Sequence, residues 1–174
     1  MSFEQSFIET ARFRVCFVCT GNICRSPMAE TVLKRLASQS GLGANLSITS
    51  AGTGDWHVGE PADDRTLAAL AARGYNASGH RGRQFDPAWF DELDLVVVFD
   101  RSQERTLKSW ASTDQDRSKV QLLLSFDSKQ SPMNDVPDPY YSDAALFDQV
   151  LSMIEKACAA LFRQITPGIR QGTL

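Results

Sequence analysis

The chain has 174 residues and a formal net charge of −3 at pH 7, with 43% hydrophobic and 22% charged residues. This length and composition are typical of one globular domain, and the lack of a Lys- and Arg-rich stretch argues against a nucleic-acid partner. The first residues, MSFEQSFIETAR, have no continuous apolar run and predict no signal peptide. No segment approaches the ~20 apolar residues of a membrane span, so we expect a cytoplasmic location and no membrane partner.

Short apolar runs alternate with helical patterns along the chain, after a polar extension at residues 1–11. Residues 13–18 (FRVCFV) predict a strand buried on both faces, because even its alternate positions are mostly apolar. A helix is predicted from about residue 27 to residue 41, followed by a second strand at residues 46–50. The next helix ends at Gly74 and should turn three residues inward: Leu67, Leu70 and Ala71.

The second half of the chain continues this alternation. Residues 93–99 (LDLVVVF) give the strongest strand signal, since the run is nearly unbroken and rich in β-branched residues. A helix through Leu107 and a last strand at residues 120–124 follow. The final helix begins near Ser142, and residues 167–174 are expected to form a tail.

Alternating strands and helices predict parallel strands joined by right-handed crossovers, here in one α/β domain covering residues 12–166. In such sheets ligands bind at the carboxyl ends of the strands, near a switch point in strand order. The turn after the first strand, residues 19–26, contains two of the four cysteines of the chain. The cysteines therefore lie where chemistry is expected.

That turn reads CTGNICRS, with Cys19 and Arg25 separated by five residues. Between a strand and a helix N-terminus it can curl so that its backbone N–H groups form an anion cradle. Gly21 permits unusual dihedral angles, and Asn22 tolerates a left-handed conformation. The Arg25 fork matches two phosphate oxygens. The predicted phosphate-binding residues are Thr20, Gly21, Asn22, Ile23, Cys24 and Arg25.

The same cradle makes Cys19 a candidate nucleophile. Donors and positive charge favour its thiolate over its thiol, and Ser26 can donate its hydroxyl to that sulfur. A thiolate at the base of a phosphate cradle can attack phosphorus in line, while the loop amides and Arg25 match the charge of the transition state.

The segment VCFVCTGNICRSPMAE resembles the signature of the low-molecular-weight protein tyrosine phosphatases almost residue for residue. The similarity extends to SAGT at residues 50–53, HRGRQ at residues 80–84 and DPYY at residues 138–141, and it spans residues 13–162. It implies a four-stranded parallel sheet flanked by helices on both faces, no metal and no cofactor. It also implies tyrosine-phosphorylated proteins as partners, a cysteinyl-phosphate intermediate, phosphate as a product inhibitor, and a monomer or weak dimer.

The departing phenolate needs a proton, and a positioned carboxylic acid can supply it. Asp138 lies on the loop before the last helix, at the same sheet edge as Cys19, and Pro139 holds it extended. In the family that this sequence resembles, the Asp of such an Asp-Pro-aromatic motif is the general acid and then activates water. Asp138 matches this position.

Further residues are expected to shape and brace the site. The resemblance implies that aromatic residues on loops at this edge form the walls of a deep cleft around the phenyl ring. Such a cleft selects phosphotyrosine over the shorter phosphoserine. Ile23 is expected to contribute to the same walls. The substrate walls are Ile23, Trp56, Tyr140 and Tyr141. The residues expected to support the loop through hydrogen bonds are Asn22, Ser26, Ser50 and His80.

The remaining cysteines have different expected roles. Cys24 is five residues from Cys19 on a curled loop, and the resemblance implies a reversible disulfide that protects the nucleophile from deeper oxidation. Cys16 is interpreted as a small hydrophobic residue of the first strand, and Cys158 as a core residue of the last helix.

Four alternatives remain open. An arsenate reductase built on the same loop needs a downstream cysteine pair, and residues 25–157 contain no cysteine. Arginine phosphatases among the relatives have a threonine where Ile23 stands, so Ile23 favours tyrosine. A zinc-binding module could use Cys16, Cys19 and Cys24, although structural zinc takes four ligands. A non-catalytic phosphotyrosine binder would leave Asp138 without a role.

Overall fold

The computed structural model describes residues 13–171, and the extension predicted at residues 1–11 lies outside this range. Its sheet has four parallel strands in the order β2-β1-β3-β4, which confirms the predicted α/β class. No helix within residues 13–171 is both long and apolar enough to span a bilayer. The strands are β1 (Phe13–Cys19), β2 (Leu46–Gly52), β3 (Leu95–Val98) and β4 (Val120–Leu122).

Helices cover both faces of the sheet, as the strand pattern predicts. Val15 and Phe17 of β1 belong to one buried cluster, whereas Cys16 and Val18 belong to a second cluster on the opposite face. The helices are α1 (Arg25–Gln39), α2 (Asp64–Ala72), α3 (Arg101–Trp110), α4 (Asp114–Lys119) and α5 (Ala144–Gln171). Short 3-10 turns lie at Pro87–Asp91, Leu123–Phe126 and Ser131–Met133.

Two predicted strands are shorter than their apolar runs. β3 ends at Val98, because the backbone N–H of Phe99 donates to Gln103 Oε1 of α3 at 2.9 Å instead of to a strand. β4 ends at Leu122, and the buried Leu123 and Leu124 lie on a 3-10 turn. Hydrophobicity therefore predicted the burial of Phe99, Leu123 and Leu124 but not the residues at which the two strands end.

Two predictions about helices were wrong. Ala71 of α2 is exposed, because α2 packs through Thr66 and Leu70, which share one face, and the next position turns away. A tail was predicted from residue 167, but residues 167–171 belong to α5, which continues through Pro167 to Gln171. Burial of Ile169 to 2% exposure holds this last turn against the core despite the hydrogen bond that a proline cannot donate.

The strand order puts the switch point at the carboxyl end of β1. β2 pairs with one edge of β1 and β3 pairs with the other, so the chain crosses β1 between them. Cys19 is the last residue of β1 and is in register with Gly52 at the end of β2. The fold therefore opens a crevice directly beyond Cys19.

Candidate active site

The loop between β1 and α1 curls as the sequence predicts. Asn22 and Gly21 were both expected to adopt unusual dihedral angles there, and only Asn22 has a positive φ. Asn22 has a φ of 57°, in the left-handed region that asparagine tolerates. Gly21 does not have a positive φ, so the prediction about its dihedral angles was wrong. A Cβ at Gly21 would lie 3.0 Å from Cδ2 of His57, and the glycine therefore provides space for that ring.

Asn22 is the centre of the hydrogen bonds that brace the loop. Its side chain is fully buried, and Nδ2 donates to Ser26 Oγ at 2.8 Å and to Ser50 Oγ at 3.0 Å. Asn22 Oδ1 accepts from the backbone N–H of Arg83 at 3.0 Å, and Nε2 of His80 lies 2.7 Å from the Asn22 carbonyl oxygen. The structure thus brings the four predicted supporting residues together and adds Arg83.

Cys19 lies at the base of the loop with 2% of its surface exposed. Its Sγ is 3.0 Å from Ser26 Oγ. Because Ser26 Oγ accepts the Asn22 amide proton, its own proton is free to point at this sulfur, and the alternative acceptor, the Ala51 carbonyl oxygen, is farther away at 3.4 Å. The geometry favours a hydroxyl that stabilises negative charge on Cys19.

Arg25 is buried at 2% exposure and is held in place by Asp100, which follows β3, and by Val136, on the loop before α5. Its Nη1 donates to Asp100 Oδ2 and to the Val136 carbonyl oxygen, both at 2.9 Å. Its Nη2 lies 3.7 Å from Asp138 Oδ2. One edge of the guanidinium is therefore fixed by the protein, and its other amino group faces the crevice.

The end of β2 approaches the loop so closely that only glycine fits. A Cβ at Gly52 would lie 2.7 Å from the Thr20 carbonyl oxygen and 3.2 Å from the Asn22 backbone nitrogen. Thr20 is also held from α3, since Gln103 Nε2 donates to its hydroxyl at 3.1 Å. A close backbone approach from β2 and a side-chain hydrogen bond from α3 thus hold the loop in place.

A cavity of about 400 Å³ opens above Cys19. Trp56 and Tyr141 are exposed at its mouth, at 67% and 93%, whereas Tyr140 is half-buried. The Trp56 indole lies against Gly54, where an added Cβ would come 1.8 Å from the ring. The residues that line the cavity are Cys19, Thr20, Gly21, Ile23, Cys24, Arg25, Trp56, His57, Asp138, Tyr140 and Tyr141.

Asp138 lies on the loop before α5 with 46% of its side chain exposed, and its Oδ1 accepts from the Tyr140 backbone N–H at 3.1 Å. Arg65 of α2 holds this loop, because its guanidinium donates to the carbonyl oxygens of Tyr140 and Ser142 at 2.9 and 2.8 Å. Arg65 also pairs with Asp63 through two hydrogen bonds. The start of α2 therefore positions the Asp138 loop beside the cavity.

All four cysteines lie within the described range, and none forms a disulfide there. Burial raises the pKa of Cys16 and of Cys24 to about 12, and it raises the pKa of Cys158 as well. Cys16 is fully buried inside β1, as expected for a small hydrophobic residue. Across residues 13–171 no group of three or more His, Cys, Asp or Glu side chains is arranged to hold a metal ion.

Several site residues escaped the sequence reasoning, because their partners are distant in sequence. Asp100 is 75 residues from Arg25, and Gln103 is 83 residues from Thr20. His57 lines the cavity, but only the neighbouring tryptophan was singled out. Asp100 did carry a local signal, since it caps α3 by accepting from the Gln103 backbone N–H at 2.8 Å.

Fold and site together define an α/β protein with a cysteine- and arginine-containing loop at the carboxyl end of its parallel sheet. The family model described as low molecular weight phosphotyrosine protein phosphatase matches residues 14–170. The chain belongs to this family of phosphatases.

Individual relatives agree with this assignment. The chain is 49% identical over 154 residues to a low molecular weight protein-tyrosine-phosphatase of Streptomyces coelicolor, covering 88% of this chain and 93% of the relative. A crystal structure of an Entamoeba histolytica protein tyrosine phosphatase with Hepes in its active site superposes with a TM-score of 0.84 at 31% identity, covering 90% and 98%. A YwlE arginine phosphatase with a phosphorylated active-site serine superposes with a TM-score of 0.80 at 26% identity, covering 91% and 99%.

Proposed function

We propose that the chain hydrolyses phosphotyrosine in proteins through a phosphate ester on Cys19. The observation that carries this proposal is that Cys19, Arg25 and Asp138 line one cavity of about 400 Å³. A nucleophile, a phosphate clamp and an acid in one crevice are what a two-step phosphatase requires.

In the first step the Cys19 thiolate attacks phosphorus, the S–P bond forms and the P–O bond to the phenol breaks. Ser26 Oγ, at 3.0 Å from Cys19 Sγ, stabilises the thiolate before attack. The backbone N–H groups of the loop and the free edge of Arg25 bind the equatorial phosphate oxygens, on which charge accumulates in the transition state. Because Asp100 already fixes Arg25, the guanidinium needs little reorganisation.

Asp138 acts as the general acid for the first step, giving its proton to the departing phenolate oxygen. In the second step the Asp138 carboxylate removes a proton from water, which attacks phosphorus and releases phosphate from Cys19. Its half-exposed carboxyl group beside the cavity supports this role, since proton exchange with water is open to it. The same cradle binds the released phosphate, so we expect phosphate to inhibit as product.

Tyrosine is the proposed substrate residue because the cavity has an aromatic rim above the cradle. Trp56 and Tyr140 provide faces for a phenyl ring. Ile23 is 5% exposed and lines the cavity with an apolar side chain, which suits a phenyl ring better than a charged guanidinium. Comparable turnover of phosphoarginine and phosphotyrosine peptides would overturn this specificity.

We further propose a cytoplasmic location, a monomer or weak dimer, and reversible protection of Cys19 by a disulfide with Cys24. Cys24 supports the last point because it is a second thiol lining the same cavity. A reducing compartment would keep Cys19 in its reduced form and therefore available as the nucleophile.

The test of the proposal is the leaving-group dependence of an Asp138→Ala variant. We expect its kcat/KM on phenyl phosphate to fall about 100-fold or more, and its kcat/KM on p-nitrophenyl phosphate to fall much less, because nitrophenolate leaves without protonation. The ratio kcat/KM is measured because it covers only the steps through cleavage of the P–O bond, whereas kcat also contains the second step, in which Asp138 acts on water for both substrates. Asp55→Ala removes an exposed carboxylate from the neighbouring wall loop and serves as the control. Equal losses on both substrates would remove Asp138 from the role of acid.

A further inference from the structure

The hydroxyl of Thr66 is buried without a hydrogen-bond partner. Thr66 lies in the first turn of α2 with 0% exposure, and within residues 13–171 its Oγ1 is the buried side-chain oxygen for which no acceptor or donor of normal geometry is present. An unsatisfied buried hydroxyl destabilises a fold, and an apolar residue of the same shape would avoid this. Nothing in the proposed hydrolysis uses this oxygen.

Thr66 lies against the second cysteine of the cavity. The backbone N–H of Asp63 donates to the Ile23 carbonyl oxygen at 2.9 Å, which joins the start of α2 to the residue before Cys24. The Cys24 thiol is 5% exposed and interacts with the Thr66 side chain. The unsatisfied hydroxyl and this thiol are therefore neighbours across the joint between α2 and the loop.

The surroundings of Cys24 disfavour its thiolate. Burial is the main reason that its pKa is raised to about 12, and the negative charges of Cys19, Asp63 and Asp138 act in the same direction. Two arginines lie near Cys24. Arg65 is already bound to Asp63 and to the loop before α5, and Arg25, which lines the same cavity, is bound to Asp100. The Thr66 hydroxyl acts in the opposite sense and favours negative charge on the sulfur.

We propose that Thr66 is a positioning residue for redox protection, whose hydroxyl donates to the Cys24 sulfur as this sulfur attacks oxidised Cys19. This inference rests on the proposed function, specifically on Cys19 as the nucleophile and on its pairing with Cys24. In the reduced enzyme Cys24 stays protonated and does not compete with Cys19 for the phosphate. Thr66 acts only when Cys24 loses its proton.

The chemistry balances with peroxide as the oxidant. Peroxide oxidises the Cys19 thiolate to a sulfenic acid and is reduced to hydroxide. The Cys24 sulfur then attacks the Cys19 sulfur, the S–S bond forms and the S–O bond breaks, and the Cys24 proton leaves with the sulfenic hydroxyl as water. The Thr66 proton remains on Thr66 throughout and stabilises the developing charge.

The experiment compares Thr66→Val, which removes the hydroxyl at nearly constant shape, with Thr66→Ser, which retains it. Both variants should hydrolyse p-nitrophenyl phosphate like the wild type and should unfold at similar or higher denaturant concentration. After a peroxide pulse, mass spectrometry quantifies the Cys19–Cys24 disulfide, dimedone-trapped sulfenic acid and sulfinic acid over time. We expect Thr66→Val to form the disulfide about tenfold more slowly and to accumulate sulfinic acid on Cys19, while Thr66→Ser behaves as the wild type.

Two results would overturn the inference, and they are distinguishable. If Thr66→Val forms the disulfide at the wild-type rate, the hydroxyl has no role, and the Cys19–Cys24 pairing stands. If the wild type itself forms no disulfide and resembles Cys24→Ser, the pairing fails as well. A failure of the proposed hydrolysis would be visible separately, in the turnover of the untreated wild type.

Discussion

Arg25 and Asp100 form an ion pair, with 2.9 Å between Nη1 and Oδ2, that joins the first helix to the helix after β3. The Arg25 side chain is 2% exposed and that of Asp100 is 21% exposed, so the pair is largely removed from water. A buried guanidinium requires such a partner. The same carboxylate caps α3 through the Gln103 backbone N–H. Asp100 therefore connects Arg25, the proposed phosphate clamp, to the fold.

Replacement of this carboxylate should affect both stability and catalysis. Asp100→Ala should lower the free energy of unfolding by about 3 kcal/mol, because it leaves a buried charge without its partner. It should also lower kcat/KM about 100-fold through misplacement of Arg25. Denaturant unfolding and p-nitrophenyl phosphate kinetics measure both effects. Asp100→Asn has one acceptor oxygen and can retain one of the two hydrogen bonds, so it should be milder in both. An Asn variant as impaired as the Ala variant would contradict the argument from geometry.

The close approach of β2 to the loop makes Gly52 sensitive to a single methyl group. Gly52→Ala should cost about 1–3 kcal/mol and reduce activity, because the contacts at 2.7 and 3.2 Å are with backbone atoms that define the cradle. Gly43→Ala is the matched control, since no heavy atom lies within 4 Å of its added Cβ. Thermal unfolding of both variants measures the difference. Equal melting temperatures would show that the loop can yield at no cost.

The contribution of the Asn22 network can be separated from its backbone conformation. Asn22 and Asn134 both have a positive φ, of 57° and 60°. Asn134→Ala should cost about 1–2 kcal/mol, mainly from the positive φ, because its side chain makes one long hydrogen bond, to the Pro132 carbonyl oxygen at 3.5 Å. Asn22→Ala should cost about 2 kcal/mol more, because three side-chain hydrogen bonds are lost and the Arg83 N–H is left without its acceptor. Chemical denaturation measures both, and equal losses would refute the importance of the network.

The buried Cys16 thiol predicts a pH dependence of stability. Its pKa is raised from 9.0 to about 12 by burial, so between these values the unfolded chain loses a proton that the folded chain keeps. The stabilisation is complete below pH 9 and decreases as the pH rises toward 12, by about 1.4 kcal/mol per pH unit for this group. Denaturation in reducing buffer at several alkaline pH values should give a shallower slope for Cys16→Ala. Parallel slopes would contradict the raised pKa.

Local features of the site could be predicted from the sequence, and long-range ones could not. The curl of the loop follows from a short segment between a strand and a helix, and the left-handed Asn22 follows from its residue type. The partners Asp100 and Gln103 depend on how β3 and α3 pack beside β1, which no local pattern specifies. Gly21 shows the same limit. A glycine fits this position because a side chain would approach the ring of His57, a residue distant in sequence, and not because of the dihedral angles of Gly21 itself.

The central claim is that phosphate is transferred to Cys19 during turnover. Acid quenching of the wild type and of Asp138→Ala in the presence of a phosphotyrosine peptide, followed by peptide mass spectrometry, tests it directly. We predict phosphate on the peptide that contains Cys19. In Cys19→Ala, which has no side-chain nucleophile at this position, we predict no turnover and no phosphorylated peptide. Turnover without any phosphorylated cysteine, or with phosphate bound to another residue, would contradict the account.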